Sequence, residues 1–248
     1  MSLFHPDLSL ATTRRVLHQL RHDPRTVALL VVVPSVLLAL LAGVLHHRRA
    51  TFDLVGPPLV GIFPLISMFL VTSVAMLRER TTGTLERLLT MPVAKLDLLA
   101  GYGVAFALVA VVQVGVVGVV GYGLLDLTAP HGVAPVVALA VANALVGTSL
   151  GLLLSAFART EFQAVQFLPA FVFPQLLLCG LIVPRNQMAW SLQTASRALP
   201  LTYSYDALVK TARPAPLGTG EATDVAVLVG IIIASLALGA ATLRRRTT

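Results

Sequence analysis

Residues 54–77 read LVGPPLVGIFPLISMFLVTSVAML, and residues 78–92, directly after them, read RERTTGTLERLLTMP. The first stretch holds no ionisable side chain and is long enough, as a helix, to cross a bilayer, which needs roughly 20 apolar residues. Inside lipid each backbone N–H and C=O must be satisfied within its own segment, so a lone apolar run of this length is read as a helix. The second stretch is charged, rich in threonine and ended by a proline, and it separates this run from the next one. Uncharged apolar runs of similar length recur at 26–45, 98–125, 133–158, 162–183 and 225–243. The expected fold is therefore all-α, a polytopic membrane protein with six transmembrane helices.

Composition agrees. Of 248 residues, 56% are hydrophobic and 12% charged, with mean hydropathy +0.86, whereas soluble domains carry about 25% charged residues. The net charge of +7 could suggest nucleic acid, but its distribution suggests a topological address. With a cytoplasmic N-terminus, the inside segments hold Arg14, Arg15, Arg21, Arg25, Arg78, Arg80, Arg87, Lys95, Arg159, Arg244, Arg245 and Arg246. The outside loops hold Arg48, Arg49, Arg185, Arg197, Lys210 and Arg213. This bias matches the positive-inside rule, and an even number of spans brings the C-terminus back to the cytoplasmic side. No nucleic-acid partner is expected; the lipid bilayer is.

Residues 1–25 precede the first run as an N-terminal segment in which Leu10, Val16, Leu17 and Leu20 interleave with Arg14, Arg15, His18 and Arg21. Such a segment can lie in the headgroup layer, or it can be a disordered basic tail. No small-residue cleavage site follows the first run, so it reads as a retained span rather than a signal peptide. In the fourth span Asn143, Gly147, Gly151 and Ser155 form a small-residue row at four-residue spacing. Rows of this kind let helix backbones approach closely, and intramolecular packing is a better reading here than a dimer seam. The long outer piece, 184–224, reads as an external re-entrant or interfacial segment, with Trp190 and the tyrosines near 203–205 at headgroup depth.

Several chemistries are excluded by what is missing. The lysines are Lys95 and Lys210, and neither follows glycine as a phosphate-binding loop requires. The central portions of the six spans hold no Asp, Glu, Lys, Arg or His, whereas ion-coupled carriers need ionisable groups at that depth. His46-His47 lacks a third ligand, so no metal site is expected. The only cysteine, Cys179, has no partner in the chain for a disulfide. No catalytic residue is identified.

A transporter without its own energy source must borrow one, and residues 78–97 are where it could. Thr81-Thr82-Gly83 read as a turn, 84–90 as a short helix, and Met91-Pro92 as its end. Leu85, Leu88 and Leu89 give that helix an apolar face, with Glu79, Glu86 and Arg87 as charged contacts around it. An ordinary solvated loop fits the same residues.

At this point the sequence resembles the type-2 ABC exporter permeases. Their coupling-helix motif runs arginine-glutamate, a few residues, Gly-Thr-Leu-Glu, Leu, then proline. Arg78, Glu79, Gly83, Thr84, Leu85, Glu86, Leu88 and Pro92 occupy those places here, with Arg80 between them. Asp23-Pro24-Arg25 resembles the family's approach to the first span. Pro200-Leu201-Thr202-Tyr203 with Asp206-Ala207-Leu208 resembles its external segment. The resemblance implies that 26–248 is a six-span permease domain and 78–97 its cytoplasmic coupling helix. It further implies pairing with a second permease copy or homologue and with two separate ABC ATPase subunits, which would carry ATP and Mg, leaving no cofactor in this chain. It implies a pathway lined by the second and fifth spans, here Phe63, Met68, Phe69, Gln163, Gln166, Phe167, Phe171 and Gln175. The function so implied is ATP-driven export of a hydrophobic or amphipathic substrate, such as a drug or lipid-linked molecule, across the cytoplasmic membrane. An ion-coupled secondary transporter and a non-transporting scaffold subunit are the rival readings.

Overall fold

The computed structural model describes residues 6–84, 87, 95–214 and 219–242. Among them every regular element is helical. Helix α1, Pro6–Arg21, has Asp7 in its first turn and Arg21 in its last, both favourable to the helix dipole. Helix α2, Pro24–Val44, starts at Asp23, whose carboxylate accepts from the Thr26 backbone N–H at 3.2 Å. Pro24 needs no amide partner at that position. Residues 1–25 thus contain a packed helix rather than a disordered tail.

Helix α3, Arg49–Thr81, has 33 residues and is about 50 Å long, well beyond the ~30 Å of bilayer hydrocarbon. It begins at Arg49, a residue expected in a loop, and Arg49 pairs with Asp53 at 3.8 Å across the first turn. Gly83, with φ +72°, ends the helix in the left-handed conformation that glycine adopts without a Cβ clash. Helix α4, Lys95–Gly118, continues as a π-helical turn, Val119–Leu124. Helix α5 is Val133–Leu154.

The fifth apolar run departs from expectation. Helix α6, Glu161–Phe167, passes into a π-helical turn, Leu168–Val172, and then into α7, Phe173–Leu178. Pro169 and Pro174 lack the N–H that an unbroken α-helix would use, and widened turns absorb such defects. Among the described residues, five helices are therefore long and apolar enough by themselves to cross a membrane: Pro24–Val44, Arg49–Thr81, Ala100–Leu124, Val133–Leu154 and Ala222–Gly239. The last lies within α10, Thr219–Thr242.

The stretch 184–224, expected to lie outside, contains α8, Trp190–Ser196, and α9, Pro200–Ala212. Trp190 is exposed, but α9 lies inside the bundle, with Leu201, Ala207 and Leu208 fully buried.

Helix α3 is the hub, and its contact with α5 is the most extensive in the fold. The small-residue row makes that contact possible. A Cβ on Gly147 would stand 2.2 Å from the Leu65 carbonyl oxygen, and one on Gly151 would stand 2.6 Å from that of Phe69. Asn143 and Ser155 of the same row are also fully buried. The row serves packing within the chain.

Charged side chains collect at the two ends of the bundle. At one end Arg15, Arg78, Glu79 and Glu161 meet. At the other, Arg49 donates to the Leu125 carbonyl at 2.8 Å, the Thr128 N–H donates to Asp53, and Lys210 pairs with Asp224 at 2.6 Å. Gly239, late in α10, abuts Leu153 at the end of α5, so α10 runs back to the end where α1 lies.

Candidate functional site

Two features converge at the α1 end: the stems of the charged connection 78–97, and a groove running up from them. Glu79 stays on the buried stripe of α3, three and seven residues beyond Met76 and Thr72, and is 8% exposed. An ionised carboxylate in such a place needs donors. Arg15 of α1 supplies them, its Nη1 lying 3.1 Å from both carboxylate oxygens, and Gln19 adds a bond at 3.3 Å. The other Arg15 nitrogen donates to the Tyr102 hydroxyl of α4, and the guanidinium sits 5.7 Å from the centre of that ring.

The neighbouring Arg78 points the other way. It is exposed and makes a two-point pair with Glu161 at 2.7 and 3.1 Å, tying the end of α3 to the hairpin between α5 and α6. These hydrogen bonds from Arg78 hold the Glu161 carboxyl below the usual carboxylate range, against a small opposing effect of burial. The hairpin is capped in both directions. Thr160 accepts from the Gln163 N–H at 3.2 Å, and the Gln163 side chain accepts from the Arg159 N–H at 2.8 Å.

The groove has a volume of about 700 Å³ and lies between α1, α2 and α3, with Tyr102, Phe106 and Val165 contributing to its walls. Leu29, Val33, Leu37, Phe63, Ile66 and Leu70 make most of it apolar, while Gln19, Asp23, Arg78 and Glu79 make one end polar. Halfway along, Gln113 of α4 donates to the Leu30 carbonyl at 2.9 Å and to Ser67 at 2.6 Å, tying three helices behind the groove. The shape suits an elongated molecule with a polar end.

The residues expected to couple to a partner are distributed unevenly. Arg78 faces outward, Glu79 is turned inward onto Arg15, and Arg80 is half-buried, its Nε without a hydrogen-bond partner among the described residues. Gly83 forms the left-handed turn, and Thr84 follows it with its hydroxyl 3.0 Å from that of Thr82. Leu85, Glu86, Leu88 and Pro92 lie outside the described residues.

The expected pathway residues do not form one surface. Phe63 lines the groove. Met68 and Phe69 are fully buried, and Phe69 stacks on Phe171 with ring centres 6.3 Å apart. Phe167 packs into the same apolar cluster, Gln163 is committed to the hairpin cap, and Gln166 is exposed. Gln175 is buried; its Oε1 accepts from the Leu201 N–H at 3.3 Å, capping the first turn of α9. Arg15, Gln19 and Tyr102 were absent from the sequence reading of the site. Arg15 does share a helix face with Thr12, Val16 and Gln19, opposite exposed Arg14 and Arg21, and that asymmetry is visible in the sequence.

A family model described as ABC-2 type transporter matches residues 8–212. Among curated proteins, a probable multidrug ABC transporter permease, YbhR, of Escherichia coli K12 is 29% identical over 152 residues, 61% of this chain and 41% of its own length. ABC transporter G family member 20 of Dictyostelium discoideum is 26% identical over 156 residues, 63% of this chain and 21% of its own length. The matched region thus spans less than half of either relative.

Proposed function

This chain belongs to the ABC-2 type transporter family, and from that premise we propose that it is the permease subunit of an ATP-driven exporter with a hydrophobic or amphipathic substrate. It is a multi-pass protein of the cell membrane. In this reading the α1 end faces the cytoplasm, and α6, the π-turn and α7 together make the sixth crossing. That helical backbone runs from the Arg78–Glu161 end without a break to Leu178. At 1.5 Å per residue it is about 25 Å long, close to the thickness of the hydrocarbon layer. Segment 78–97 receives the push of two separate ATPase subunits, which bind ATP and Mg, and a second permease copy or homologue completes the pathway.

The observation that carries the substrate class is the groove: an apolar wall along α2 and α3 ending in Asp23, Gln19, Arg78 and Glu79. An amphiphile seated there keeps its tail among Leu29, Val33 and Leu37 and its polar end among hydrogen-bonding groups. The similar YbhR is named as a probable multidrug permease, which agrees with such a site.

The test uses inside-out vesicles holding the full chain with its co-purifying ATPase, and ethidium as the fluorescent probe. Uptake that requires ATP and resists a proton ionophore is expected. Uptake that collapses with the ionophore and ignores ATP would identify an ion-coupled carrier. A co-purifying ATPase with no uptake of ethidium or a lipid-linked dye would identify a scaffold subunit.

A further inference from the structure

We infer that Arg15 is a positioning residue: with α1 as a brace, it holds the two stems of the charged connection at fixed spacing and links their movement to α2. The inference rests on the coupling reading above, but the geometry that supports it is separate. Helix α3 ends at Thr81, just after Glu79, and α4 begins at Lys95, with Gly101 and Tyr102 two turns further on. Helix α1 grips both stems. On the α3 side Arg15 makes its bonds to both Glu79 oxygens at 3.1 Å. On the α4 side the same guanidinium holds Tyr102, and Thr13 donates to the Gly101 carbonyl at 3.0 Å.

The second grip is tight. A Cβ on Gly101 would stand 2.5 Å from the Thr12 Cβ and 2.8 Å from the Ser9 carbonyl oxygen, so α1 and α4 cross with almost no intervening side chain. One guanidinium therefore joins the two helices on either side of the connection. Removing it leaves a carboxylate of 8% exposure without its strong donor, and such a group moves toward water.

Helix α1 is also connected to α2 through a short corner at His22 and Asp23, where Asp23 caps α2. Among the five span-length helices α2 is the least enclosed, with 17% of its most apolar window buried against 56% for α3. A helix so loosely held can tilt with whatever is fixed to its start. The groove lies between α2 and α3, and Gln19, Glu79 and Tyr102 all reach it. A displacement of the connection thus passes through Arg15 into α1 and changes the width of the groove.

The test reads distance and coupling separately. In a Cys179→Ala background, spin labels are placed at exposed positions through Arg14→Cys on α1 and Thr82→Cys at the end of α3, and the full chain is reconstituted with its co-purifying ATPase. Arg15→Gln is expected to broaden the distance distribution and to lower ethidium moved per ATP hydrolysed by roughly five- to tenfold, while hydrolysis itself continues. Arg15→Glu combined with Glu79→Arg should narrow the distribution again and recover most of the ratio. Should Arg15→Gln fail to accumulate, Tyr102→Phe, which removes one hydroxyl, should give the same changes at smaller size. An unchanged distribution and ratio in these variants overturns the inference. If the wild-type chain retains no ATPase, the coupling reading fails instead, and the distance measurement alone then decides whether Arg15 braces the stems.

Discussion

Replacing Gly147 by alanine tests whether the α3–α5 contact is the structural centre of this permease. The new Cβ would lie 2.2 Å from the Leu65 carbonyl oxygen and 2.9 Å from its carbonyl carbon. Ordinary contact begins near 3.4 Å, so the two backbones must separate by about 1 Å. Both atoms met are main chain, and no side chain can rotate away. Overpacking typically costs about 1–3 kcal/mol, and the upper half of that range applies when backbone must yield. The gain from alanine's helix preference, about 1 kcal/mol, offsets part of it and leaves a net loss of about 1–2 kcal/mol. For a chain of this size each kcal/mol moves the midpoint about 2–4 °C, so a fall of several degrees is expected. Gly115→Ala on α4 is the matched control, because its Cβ would meet nothing within 4 Å, and its midpoint should hold or rise. Thermal unfolding of both variants in one detergent makes the comparison. A Gly147→Ala midpoint equal to that of Gly115→Ala would refute the reasoning.

Three further outcomes follow from the same geometry. Gln175→Leu leaves the Leu201 N–H without its acceptor and should cost about 1–3 kcal/mol, seen as faster amide exchange confined to the first turn of α9. Thr160→Ala removes the α6 cap and should cost about 1 kcal/mol, with exchange rising at 161–164. Because Arg78 lowers the Glu161 pKa in the folded protein, their pair contributes at neutral pH and is lost as pH falls through that lowered value. Glu161 is about half exposed, so the contribution is below about 1 kcal/mol, and wild-type and Glu161→Gln melting midpoints should converge as the pH is taken to 3.

What the sequence made legible was set by range. Five span-length helices follow from uninterrupted apolar runs, and the turn at Gly83 follows from Thr-Thr-Gly. The fifth run is uncharged throughout, but Pro169 and Pro174 interrupt its α-helical hydrogen bonding, a feature that hydropathy alone does not weigh. The row from Asn143 to Ser155 announced close packing without naming the partner, which is α3. Glu79 reads as a cytosolic contact because it follows the apolar run, yet α3 continues through Thr81 and keeps Glu79 on the stripe of Thr72 and Met76. Its partner Arg15 lies 64 residues away, and no local pattern reports a pair at that distance. In α9 the tyrosines drew the reading toward headgroup depth, and the burial of Leu201 and Leu208 in the bundle is a further feature that the local pattern did not report.

The central claim, that a separate ATPase drives this chain through the connection after α3, is tested most directly at Thr82, an exposed residue at the start of that connection. A cysteine placed there in the Cys179→Ala background should be labelled only from the cytoplasmic side of intact cells. It should also cross-link to a nucleotide-binding subunit with a yield that changes between ATP and ADP. Labelling from the external face alone, or a cross-link yield indifferent to nucleotide, would contradict the account.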